Sequence, residues 1–131
     1  MGQNEAEAPD FRSKWIFRYR PAEVLAAAKK KVVHHADRKK WWTEEYAKAE
    51  KQLKSKGFEY REHYNSLGRD VQIVGDPELA RRAAQCKEKI ESHHQRIDSY
   101  ETWVRALQAK AERQPGEELE LKIDDLMFFG L

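Results

Sequence analysis

The chain has one cysteine, Cys86, among its 131 residues. A single thiol cannot close an intramolecular disulfide, and it cannot supply a cysteine-based zinc site. Only four prolines and six glycines punctuate the sequence, so long unbroken elements are expected. No apolar run approaches the ~18–20 residues of a membrane span. The first ten residues lack the basic-then-apolar order of a secretory signal. With no membrane segment and no address, the cytoplasm is the expected location. An excess of one charge is missing too. Lys and Arg total 25 against 23 Asp and Glu, which singles out no polyanionic partner.

Chemical motifs are also lacking. No glycine-rich phosphate loop and no nucleophile elbow occurs. Glu44-Glu45, Glu117-Glu118 and Asp124-Asp125 are plentiful acids, but none stands in a catalytic constellation. Cys86 falls on an apolar seam, where a thiol is inert. A non-enzymatic protein is expected, with no cofactor, no catalytic residue and no small-molecule substrate.

What is present is charge and pattern. Charged residues make up 37 % and aromatics 11 %; about 25 % charge is usual in a globular domain. A helical hairpin reconciles a heavy charge load with a core, because its buried seam is narrow. Residues 1–10 read as a disordered tail, acidic and with nothing to bury. The remaining 11–131 read as a single helical-hairpin domain. From Arg12 to Arg20 the period is two, with Trp15, Phe17 and Tyr19 alternating, which predicts a strand. Pro21 then suits a helix start.

Leu25, Ala28, Val32, His35, Trp42, Tyr46, Ala49 and Leu53 form one helical stripe, with Lys39 as its break. Gly57 threatens the pattern, and Phe58, Tyr60 and Tyr64 extend an apolar face beyond it, so a kink or a helix end is expected there. Gly68 to Gly75 reads as the turn. Asp76-Pro77-Glu78 is a helix start: a cap, a first-turn proline and an acid at the positive end of the dipole. Leu79, Ala83, Cys86, Ile90, His93, Ile97, Tyr100, Val104, Leu107 and Ala111 step by four and three in a coiled-coil-like heptad seam. Gln114-Pro115-Gly116 ends it. Leu119, Leu121 and Ile123 predict a second short strand. Asp124-Asp125 either caps a last helical turn through Phe129, or the strand runs on.

The expected fold class is therefore mainly α. A long antiparallel two-helix hairpin is flanked by a short N-terminal strand and a short C-terminal strand. With its turn near Asp70, His35 would fall opposite Arg105 and His94 opposite Tyr46, so the adjacent pairs His34-His35 and His93-His94 would not meet. Adjacent helical residues point about 100° apart and make poor chelates, so no metal site is expected. The same register would gather Trp41, Trp42, Tyr46, Tyr100 and Trp103 in one aromatic cluster.

Two surfaces remain as candidates. Trp15, Phe17, Trp41, Leu126, Phe128 and Phe129 carry more apolar area than a small hairpin can hide, which points to a protein partner or a homo-oligomer. The expected function is a protein–protein interaction and assembly module, a scaffold or accessory subunit that associates through its strand-bearing end. The alternatives are a small regulator or inhibitor of a partner protein, and a nucleic-acid-binding protein. The latter would use Lys29, Lys30, Lys31, Arg38, Lys39 and Lys40, which stand beside two tryptophans able to stack on bases.

Overall fold

The computed structural model describes residues 14–56 and 58–131. The element order is β1 (Phe17–Tyr19), α1 (Pro21–Lys56), β2 (Phe58–Asn65), β3 (Gly68–Gly75), α2 (Pro77–Arg113), β4 (Leu119–Leu121) and α3 (Ile123–Phe129). The protein is mainly helical, with α1 and α2 packed as an antiparallel hairpin and short antiparallel strands at both ends. The chain divides into two compact units. A terminal unit joins residues up to His34 with Ile97–Leu131, and a central unit spans His35–Arg96.

In the terminal unit, β1 and β4 pair antiparallel, with Phe17 opposite Leu121, Arg18 opposite Glu120 and Tyr19 opposite Leu119. The period-two pattern explains the result: Phe17, Tyr19, Leu119 and Leu121 turn partly inward, while Arg18 and Glu120 stay exposed. Pro21 opens α1 as its composition predicts. Glu23 ties down the entry, its Oε2 accepting the Arg20 N–H at 2.9 Å. The core here is Val24, Ala28, Leu107 and Phe129, ringed by Tyr19, Leu25, Val104, Leu119 and Leu121. After α2 the chain reverses through Gln114-Pro115-Gly116, where the Glu117 N–H donates to the Gln114 carbonyl at 3.1 Å.

The C-terminal segment resolves as a helix rather than a continued strand. The Asp125 Oδ2 accepts the Lys122 N–H at 2.9 Å, satisfying a backbone donor at the helix entry. Gly130 ends α3 in the left-handed region at φ 73°, and the Leu131 N–H closes back onto the Leu126 carbonyl at 2.8 Å. A methyl group at Gly130 would meet Cε of Lys31 at 2.8 Å. That lysine can swing away, so the backbone conformation sets the cost. Gly130→Ala is expected to lower stability by about 1–2 kcal/mol in chemical denaturation; an unchanged midpoint would mean that the left-handed cap contributes nothing.

In the central unit, α2 begins where Asp76 predicts. Its Oδ1 accepts the N–H groups of Glu78 at 2.8 Å and Leu79 at 3.3 Å, satisfying donors that the first helical turn leaves open. Among the described residues of this unit, His35, Trp42, Ala49 and Cys86 are buried. Every seam position expected on α1 and α2 is buried or half-buried, Lys39 included.

The connection differs from expectation. α1 ends at Lys56, and the segment read as an apolar helix face followed by a turn is a two-stranded antiparallel ribbon. Its register runs from Phe58 opposite Gly75 to Asn65 opposite Gly68. Its tip is Ser66-Leu67, and Gly68 takes φ 121° to resume the strand. The tip therefore lies earlier than Asp70. That moves the partners of α1 toward lower numbers on α2. His35 meets His93 instead of Arg105, about three helical turns away.

Candidate functional site at the strand-bearing end

The terminal unit concentrates apolar side chains on its outside. Trp15 is 54 % exposed and Met127 66 %, and Ile16, Trp103, Phe128 and Leu131 are exposed as well. Each is placed by a local rule. β1 alternates, so Ile16 and Arg18 face out while Phe17 and Tyr19 face in. On α3, Ile123, Leu126 and Phe129 share the inner face at helical spacing, which leaves Met127 outside.

The aromatic rings of this unit make two contact groups, Trp15 with Phe17, and Tyr100, Trp103, Phe128 and Phe129 together. Trp15 lies 6.3 Å from Phe17. Phe128 stacks on buried Tyr100 at 4.5 Å, and Trp103 meets Phe129 edge to face at 5.6 Å. The Tyr100 hydroxyl donates to the Phe128 carbonyl at 2.5 Å, fixing the helix that carries both phenylalanines. Phe129 is only 4 % exposed and completes the core. The core thus closes without help from Trp15, Met127 or Phe128.

The six residues expected at a partner surface therefore separate. Trp15, Trp41 and Phe128 are exposed; Phe17 and Leu126 are half-buried; Phe129 is internal because it follows Leu126 by one helical turn. Ile16, Trp103 and Met127 join the exposed set. Ile16 is legible only as the out-of-phase neighbour of Phe17, and Met127 as that of Leu126.

Trp41 belongs to the central unit. It packs edge to face on Trp42 at 4.8 Å and lies under the Arg38 guanidinium at 5.1 Å, a cation–π contact that already occupies one face. Trp42 lies beneath Arg82 at 5.3 Å, and Tyr46 faces Lys87 at 5.8 Å. Tyr100 and Trp103, in the terminal unit, pack on the phenylalanines of α3.

The basic triplets are divided in the same way. Lys29 and Lys30 are exposed, while Lys31 is half-buried and lies across Gly130. In the central unit, Arg38 covers Trp41, and Lys39 donates to His94 Nδ1 at 3.0 Å.

The histidine pairs also depart from expectation. His35 Nδ1 and His93 Nδ1 are 2.8 Å apart, and His35 is buried. One ring donates its N–H to the lone pair of the other, which requires opposite protonation at the two facing nitrogens. This is a helix-to-helix fastener. Among the described residues, no group of three or more His, Cys, Asp or Glu side chains could hold a metal ion.

Elsewhere on α1, Lys54 holds the Glu50 carboxyl below its usual range by a hydrogen bond and by its charge, and Glu50 raises Lys54 in return. Their 2.6 Å contact is a solvent-exposed i, i+4 ion pair, which ranks as helix-surface support. Among the described residues, no helix is long and apolar enough to cross a membrane. What the terminal unit offers is exposed apolar side chains beside a sheet that has two strands among the described residues. No family model, curated protein or solved structure matches the chain.

Proposed function

We propose that this protein is a non-enzymatic interaction and assembly module that associates through its strand-bearing end. The observation that carries this reading is the mismatch in the terminal unit. Its core is closed by Phe129, yet Trp15, Met127 and Phe128 stand exposed around a two-stranded sheet. Contiguous exposed apolar area beside polar rims marks association surfaces, and Trp and Phe are the anchors such surfaces favour. Two isolated strands are marginal in water, so added strand pairing would stabilise the sheet as well.

The test replaces exposed side chains only. Trp15→Asp with Met127→Asp is expected to reduce the mass by light scattering from two or more chains to one, with the helical circular dichroism unchanged. An assembly of unchanged mass would remove this surface from the account.

A further inference from the structure

Which partner fits this surface is set by the charges along its strands. β1 and its flank carry Arg18 and Arg20; β4 and its flank carry Glu118 and Glu120, and all four are exposed. Within the chain, Arg18 faces Glu120 across the sheet at 3.8 Å. Among the described residues the sheet holds two strands only. Each strand therefore pairs on one side and presents N–H and C=O groups on the other.

A strand added to these edges meets opposite charges on the two sides. Beside β4, a basic strand is favoured; beside β1, an acidic one. Like charges placed directly opposite in a sheet are destabilising, and opposite charges are favourable. A second copy of this chain carries both strands already, in the lengths and register that pair within one molecule. We infer that the partner is a second copy, joined head to tail: β1 of one molecule pairs antiparallel with β4 of the next, repeating the Arg18–Glu120 contact between chains. This rests on the association reading above and names its partner.

The charge pattern also disfavours the common two-fold arrangement. A symmetric β1–β1 contact would bring Arg18 and Arg20 of both copies together, and a symmetric β4–β4 contact centred on Glu120 would set the two Glu120 side chains against each other, with Lys122 facing Glu118 on either side. The head-to-tail contact is heterologous, so it closes into a ring or continues as a chain. Trp15, Met127 and Phe128 would supply the apolar burial that three-residue strands cannot.

The test is a charge-reversal pair followed by mixing, read by light scattering on full-length protein. Variant one is Arg18→Glu with Arg20→Glu. Variant two is Glu118→Arg with Glu120→Arg. Each alone presents like charges at every strand contact, so each is expected to associate at least about tenfold more weakly than the parent. Mixed in equal amounts, the acidic β1 of the first meets the basic β4 of the second, and its acidic β4 meets the basic β1. The mixture is expected to regain the parent mass.

Variants that stay assembled while Trp15→Asp with Met127→Asp falls to a single chain would overturn strand pairing and leave the association surface standing. Monomeric variants that keep their helical spectrum but fail to reassemble on mixing would also overturn it. A parent protein of one chain at every concentration would overturn both readings.

Discussion

Truncating Phe129 to alanine is expected to destabilise the protein by about 3–5 kcal/mol, the range for a large aromatic removed from a closed core. Among the described residues, Phe129 packs in the terminal core with Val24, Ala28 and Leu107. Its loss leaves a void beneath Trp103, whose ring meets it edge to face. Small domains have only about 5–15 kcal/mol of net stability, so about a fifth or more of the total is at stake. Phe128→Ala should cost under about 1.5 kcal/mol, because Phe128 is exposed and loses chiefly its stacking on Tyr100. Urea unfolding of the two variants distinguishes core from surface within one dipeptide. Equal costs would place both side chains in the same environment, contrary to the structure. An acidic residue at position 129 would disrupt the terminal core, so of these two phenylalanines Phe128 is the one that serves as a probe of association.

The histidine fastener gives the second large effect. Replacing His35 alone with leucine leaves the Nδ1 of His93 without this partner in a half-buried seam, and the reverse holds for His93. Each single change is expected to cost about 1–3 kcal/mol, the desolvation penalty of a polar group that loses its partner. The double change, His35→Leu with His93→Leu, removes both polar atoms and fills the space with methyl groups. It should cost less than the sum of the singles by more than about 1 kcal/mol. Strict additivity in the double-mutant cycle would show that the two rings do not interact.

The sequence makes the helical elements legible for a physical reason. The seam of α2 repeats by four and three without interruption, and each of its positions from Leu79 to Ala111 is buried or half-buried. Pro21 and Asp76-Pro77 mark the helix starts because capping and first-turn chemistry are local. The central ribbon was misread because its signals conflict. Phe58, Tyr60 and Tyr64 fall on alternate positions as a strand requires, yet Tyr60 and Tyr64 also continue the three- and four-residue steps from Leu53 through Gly57. Val71 and Ile73, opposite Glu62 and Tyr60 in the register, are the β-branched partners that could have decided the matter. The consequence spread beyond the ribbon. A tip at Ser66-Leu67 instead of Asp70 moves the partners of α1 in the central unit toward lower numbers on α2, and His35 meets His93.

The candidate surface was legible in part. An excess of terminal apolar residues follows from composition, but which of them stay outside depends on helix phase. Phe128 and Phe129 are adjacent in sequence and point about 100° apart on α3. One closes the core and the other faces outward, a distinction that needs the position of α3 against Tyr100 and Trp103. Arg18 and Glu120 likewise acquire meaning only once β1 and β4 are seen to be paired.

Hydrogen exchange read by mass spectrometry at two protein concentrations tests the central claim most directly. The account predicts that peptides covering Phe17–Tyr19, Leu119–Leu121 and Ile123–Phe129 gain protection at the higher concentration, while peptides from the middle of α1 and α2 do not change. Protection independent of concentration in those terminal segments would contradict association through the strand-bearing end.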